Sequence, residues 1–344
     1  MFTTSVSIIF ITYLIFYKCK FSKNFLNPMD MIQAKMIKGI LSILIMLGHI
    51  FTNSNILITP FSLVIISVGF LCVGMFFFYS GFGLGISYKR KESYLDTFLI
   101  KKLKEIYIPF VLMNILYYII LELLVGKKDF SIKEIVITAS GYNLINGISW
   151  YVVAIIYFYL LFFFCFKYFT KIRYLMFFLS MLLYYYICLK YNNSATWLRV
   201  SIFPIFLGML YSEYKEKIDI ILKNNYMTLV CSCLALFNFF YLVRFNRVKD
   251  LLKISMSDFY FSEITVIFFC FLIILGLMKI KLQNKTTLKI GEISFEIYLY
   301  HGLFIKIFKA LKIENTFIYV LLCVVSTLIL SVIIKKLHSK VIKF

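Results

Sequence analysis

Apolar residues run through this chain in blocks near the length of a membrane span, separated by short basic clusters. The blocks cover residues 2–17, 38–53, 60–86, 106–125, 150–170, 174–190, 198–212, 226–243, 261–280, 290–309 and 316–335. About 20 apolar residues in a helix cross a bilayer, so the pattern predicts an all-α, polytopic transmembrane bundle of about eleven spans. The block at 198–212 is short and holds Pro204, which makes it the weakest of the set. The first block has no basic segment before it and no small-residue cleavage site after it, so it reads as a retained span. Lys18, Lys20 and Lys23 follow that block and place the N-terminus outside and the C-terminus inside. In that arrangement the inner segments carry about twice the Lys and Arg of the outer ones, as the positive-inside rule requires. The loop 244–253, with Arg244, Arg247, Lys249 and Lys253, is the outer segment that resists the rule.

The polar positions inside these blocks narrow the picture. In the second block, Lys38, Ser42 and His49 share one helical stripe, because eleven residues return to within roughly 20° of the starting face. Lys38 sits at the membrane surface and His49 about 16 Å deeper. An ionisable group in the lipid layer is costly and is a functional candidate by default. The structural alternative is a histidine bonded to a neighbouring helix and a lysine that snorkels. The tenth block carries Glu292, Ser294, Glu296, Tyr298 and His301, with Ser294, Tyr298 and His301 on one face. Glu296 is deep enough that it should find a partner or stay protonated. These parts form either an internal polar network or, with His49, a set for general acid–base work. Whether Glu296 or His301 reaches His49 stays open at this level. His338, in the basic tail, reads as solvated.

Ser80-Gly-Phe-Gly-Leu-Gly85 follows no strand and opens no βαβ unit, so it reads as close helix packing and not as a phosphate loop. Tyr79 and Ser80 at the inner rim are candidate ligand contacts. Trp150-Tyr151 starts a span after the outer loop 126–149, as an interfacial anchor or a stacking platform for a sugar.

Composition removes the soluble alternatives. The 344 residues are 62% hydrophobic and 15% charged, and 4 Pro and 14 Gly leave no room for a linker-rich region. The net charge of +21 resides in the clusters between spans, not in a basic folded domain, so it does not predict nucleic-acid binding. The eight cysteines lie mostly inside apolar blocks without a Cys-x-x-Cys pair, as small hydrophobes with no metal site.

Four motifs, in order, resemble the acyltransferase-3 family of integral membrane acyltransferases. Lys38-x10-His49 is similar to its Arg-x10-His signature, and Phe76-Phe-Phe-Tyr-Ser-Gly81 to its Phe-Phe-x-x-Ser-Gly motif. Trp150-Tyr-Val resembles a span start of Trp, then Phe or Tyr, then Leu. Gly291-Glu-Ile-Ser-Phe-Glu-Ile-Tyr-Leu-Tyr-His301 resembles Gly-x-x-Ser-Tyr-x-x-Tyr-Leu-x-His. The resemblance covers residues 32–335 as a ten-span core, with 1–31 as an extra span and linker and 336–344 as a basic cytoplasmic tail. Three departures stand out: Lys38 keeps the charge but not the guanidinium fork, Lys101-x-x-Lys104 replaces Arg-x-x-Arg, and one span is additional.

The resemblance implies an O-acyltransferase, acetyl being the usual group, that moves an acyl unit from cytoplasmic acyl-CoA to a hydroxyl of a cell-envelope or lipid-linked polysaccharide. It implies acetyl-CoA or another acyl-CoA as co-substrate, no metal, a glycan acceptor, lipid contacts and a bacterial plasma membrane location. His49, Glu296 and His301 are then the catalytic candidates, with His49 either general base or acyl carrier. Lys38, Tyr79, Ser80, Lys101 and Lys104, within the cluster Lys89 to Lys104, would hold the donor. Trp150 and Tyr298 would contact the acceptor. A transporter or flippase of lipid-linked sugars is the alternative. It favours internal repeats, and none is visible.

Overall fold

A computed structural model describes residues 2–125, 132–141, 144, 146–191, 200–244 and 258–342. Each predicted apolar block contains a helix. In chain order these are α1 (Phe2–Phe16), α2 (Met31–Thr52), α3 (Pro60–Ser67), α4 (Gly69–Arg90), α5 (Phe98–Lys102), α6 (Ile108–Val125), α7 (Ile132–Ala139) and α8 (Trp150–Tyr168). There follow α9 (Arg173–Tyr191), α10 (Pro204–Glu213), α11 (Lys215–Asn224), α12 (Tyr226–Val243), α13 (Asp258–Leu277), α14 (Lys285–Glu292), α15 (Ser294–Ala310) and α16 (Thr316–Ile342). Among the described residues, seven helical stretches are long and apolar enough to cross a membrane: those of α2, α3–α4, α5–α6, α8, α12, α13 and α16. The helices at 2–17, 174–190, 198–212 and 290–309 fall outside that set. Most of the loop 244–253 lies outside the described residues, as do parts of 126–149.

Local chemistry sets the helix ends. Asp30 caps α2 by accepting from the backbone N–H of Ile32 and of Gln33, each at 3.0 Å. Thr59 and Ser62 cap each other's backbone ahead of α3, and Pro60 occupies its first turn. The block at 60–86 is divided at Val68. The block at 290–309 is divided at Ile293, so α15 starts at Ser294. A short π-helical turn, Leu103–Tyr107, joins α5 to α6. One pair of two-residue strands departs from the all-helical expectation: Lys20–Phe21 lies antiparallel to Ile280–Lys281, tying the exit of α1 to the exit of α13.

The interior of the bundle is formed around α2, which packs against α14, α15, α3 and α4. A Cβ on Gly291 would collide with the carbonyl of Lys35, so α2 and α14 are in backbone contact there. A Cβ on Gly81 would likewise strike the carbonyl of Ile205, so the glycine-rich stretch of α4 is a seat for α10, as expected. By contrast, α12 and α16 present Leu242, Phe239, Ile329 and Val332 outward. Helices apolar on their exposed faces suit a lipid surround.

One carboxylate is sealed inside this packing. Glu263 on α13 is buried and accepts from the backbone N–H of Ser201, just ahead of α10. The backbone N–H groups of Ile202 and Phe203 also point to it. Ser201 has φ of 68° and gives its hydroxyl to the Phe70 carbonyl at 2.7 Å. Glu263 thus caps a short helix from across the bundle.

Candidate active site

A cavity of about 500 Å³ opens between the ends of α2, α15 and α16 and the π-helical turn. Lys38, Ser80, Tyr151, Glu296, Tyr298 and Lys335 are among its walls. Lys38 comes from the first turns of α2 and holds its ammonium 5.6 Å from the centre of the Tyr79 ring. Lys35 and Lys102 both lie within electrostatic range of it. Among the described residues, no carboxylate forms an ion pair with Lys38.

Glu296 is 3% exposed and pairs with Lys335 of α16 at 3.0 Å. Its other oxygen, Oε2, is buried without a hydrogen-bond partner. At the rim, Glu105 of the π-helical turn pairs with Lys102 at 3.1 Å and with Lys101 at 3.7 Å. His338 donates to the Lys104 carbonyl at 2.9 Å, which fastens the end of α16 to that turn.

Deeper in, Ser80 and Tyr151 share the cavity wall. The Tyr151 ring meets that of Tyr298 edge to face at 5.3 Å, and the Tyr298 hydroxyl donates to the Ile148 carbonyl. Both tyrosines line the cavity. Three residues further along α15, His301 is fully buried, 6.0 Å from Tyr298 between ring centres. The ring of His49 stacks on that of His301 at 5.3 Å with the planes inclined by 28°. His49 therefore faces a neighbouring helix of the bundle. One turn beyond His49, Asn53 donates to its carbonyl at 2.9 Å and lines a second cavity of about 220 Å³ with Lys309, Lys312, Thr316 and Tyr319. The two histidines lie between a larger cavity at one end of α2 and α15 and a smaller one at the other.

The structure brings together His49 with His301, Lys38 with Tyr79, and Lys38 and Ser80 with Tyr298 in the wall of the cavity, which Tyr79 does not line. It separates others. Glu296 stands at the cavity wall with Lys335, about 7.5 Å of helical rise before His301. The imidazole–carboxylate contact left open by the sequence is therefore not made by Glu296. None of Lys101, Lys102 and Lys104 lines the cavity; Lys102 comes nearest to its wall, 5.0 Å from the ring of cavity-lining Tyr159. Lys89 is taken up by Glu213 at 3.0 Å, where it ties α4 to α10. Trp150 is partly buried but off the cavity, whose wall carries Tyr151 instead. His338 lines the cavity and is not merely solvated.

Lys335 is the main residue that sequence reasoning passed over. Thr327, Ser331 and Lys335 recur at four-residue steps on α16, and the first two are fully buried. Such a polar stripe in an apolar helix is a legible sign of an inward face.

A family model described as an acyltransferase domain matches residues 33–336. No curated protein and no solved structure matches the chain. The matched segment begins in the first turn of α2 and ends just after Lys335, so it takes in every residue of the cavity wall and both histidines except the last turn at His338. The chain belongs to the acyltransferase-3 family.

Proposed function

We propose that this protein is a membrane O-acyltransferase that moves an acetyl group from cytoplasmic acetyl-CoA to a hydroxyl of a cell-envelope or lipid-linked polysaccharide. The reading includes eleven spans with the N-terminus outside and the C-terminus inside, in a bacterial plasma membrane. The observation that carries it is the cavity walled by Lys38, Lys335 and Tyr298, whose Tyr298 ring lies 6.0 Å from the first of two stacked imidazoles.

The wall residues fit an acyl-CoA. Its phosphates suit Lys38, Lys102 and Lys335 at the mouth. Its slender arm carries amide N–H groups, and the unpartnered Oε2 of Glu296 lacks a donor. When bound, an acyl-CoA supplies the activated thioester.

The chain's own residues do the rest. Tyr151 and Tyr298 narrow the inner end of the cavity and keep bulk water from the histidines. His49 either takes the proton of the acceptor hydroxyl or carries the acyl group, and His301 supports it or binds the acceptor. The smaller cavity beyond Asn53, with its amides, hydroxyls and lysines, suits a sugar arriving from the outer face.

Membranes containing the protein, incubated with acetyl-labelled acetyl-CoA, test this. Label in the envelope polysaccharide or its lipid-linked precursor is the expected result. Label that remains entirely in acetyl-CoA contradicts it.

A further inference from the structure

The hydrogen-bond state of His301 is fixed by its own helix. Its Nδ1 lies 3.0 Å from the carbonyl of Ile297, one turn earlier on α15. A carbonyl only accepts, so Nδ1 carries the hydrogen. A neutral imidazole has one N–H and one lone pair, which puts the lone pair on Nε2. A second N–H would be a charge in the lipid layer, and among the described residues no carboxylate forms an ion pair with this ring. His301 is fully buried, and Nε2 has no hydrogen-bond partner. A buried acceptor left empty costs the full desolvation of that atom, so it calls for an explanation. Stacking on His49 does not satisfy it, because a parallel ring offers its face and not an N–H.

Position supplies the explanation. His301 stands one turn past cavity-lining Tyr298, and its ring lies 6.0 Å from that of Tyr298 and 5.3 Å from that of His49. We infer that Nε2 of His301 is the seat of the acceptor hydroxyl and takes its proton in the transfer. This assignment rests on the acyltransferase reading and decides a role that reading leaves open. The hydroxyl O–H donates to Nε2. As the oxygen forms its bond to the acyl carbon, the proton passes to Nε2 and the bond from that carbon to the donor's sulfur breaks. The sulfur leaves as thiolate, and the proton held on the imidazole is afterwards released to it, giving a free thiol and a neutral ring. His49, whose ring lies against His301, is left to face the acyl group.

Two variants separate a chemical role from a packing one. His301→Asn keeps an N–H for the Ile297 carbonyl and offers nothing where Nε2 stood. His301→Ala leaves space for a free imidazole. General-base catalysis typically contributes about 10²–10⁴-fold, so His301→Asn should transfer labelled acetyl at least about 100-fold more slowly than wild type. Purified His301→Asn should bind acetyl-CoA and melt as wild type does, and imidazole added to His301→Ala should restore part of its rate. Transfer by His301→Asn at the wild-type rate overturns the assignment, as does a His301→Ala defect that imidazole leaves unchanged. Wild-type membranes that transfer no label overturn the acyltransferase reading and this assignment together.

Discussion

Two buried carboxylates in this bundle invite opposite conclusions. Glu263 and Glu296 are 5% and 3% exposed, each on a helix inside the bundle, and each keeps one oxygen without a partner. Glu263 faces backbone: its bonded oxygen closes the start of α10, with Ser201 locked to Phe70 beside it. Glu296 faces a cavity: its bonded oxygen holds the flexible ammonium of Lys335, and the free one sits in the same wall as Lys38 and Tyr298. The first is part of how the bundle closes and the second part of what it opens onto. Burial of a charge marks a position as costly. What the charge faces decides whether function or architecture bears that cost.

Substitution should pull the two apart. Removing the Glu263 carboxylate strands backbone N–H groups in the interior, so Glu263→Ala should lower stability by about 3 kcal/mol. Thermal melting in detergent measures this, and the folded fraction should still bind acetyl-CoA at wild-type affinity. A normal melting temperature in Glu263→Ala would dissolve the contrast. Glu296→Gln keeps the shape and an acceptor but drops the charge opposite Lys335. Its melting should shift little, while acetyl-CoA affinity falls about tenfold, the equivalent of one charge-assisted hydrogen bond. Unchanged affinity would place Glu296 with Glu263 as a structural group. The smallest effect belongs to Lys101→Ala. Its pair with Glu105 is long and exposed, and such pairs contribute about 0–1 kcal/mol, so both melting and transfer should match wild type. A marked loss of transfer there would return Lys101 to the donor site.

The same contrast explains what the amino-acid sequence disclosed. Most helices were legible, because apolar runs are a local signal, but the start of α2 at Met31, which Asp30 caps, lies well ahead of its apolar block at 38–53. The Lys38–His49 stripe was legible from helical periodicity, and the motif ending at His301 named the second ring. The partner of Glu296 was not, because it comes from α16, 39 residues further on. Glu263 was missed altogether: one acid in the block 261–280 carries no periodic signal, and its role depends on the unusual backbone at Ser201, 62 residues away. Lys101 and Lys102 end α5 while Lys104 lies in the π-helical turn, so the Lys101-x-x-Lys104 spacing does not carry the α-helical register the sequence suggests. Trp150 and Tyr151 differ by one residue, and only the packing of α8 against Phe77 and Tyr298 shows which ring turns inward.

The central claim is that an acyl group crosses from a donor cavity to an acceptor by way of the His49–His301 pair. Vesicles that present the cytoplasmic face to labelled acetyl-CoA, prepared with wild-type or His49→Ala protein at equal membrane abundance, test it most directly. The account predicts labelled polysaccharide with wild type and none above background with His49→Ala. Equal labelling of the two would contradict it.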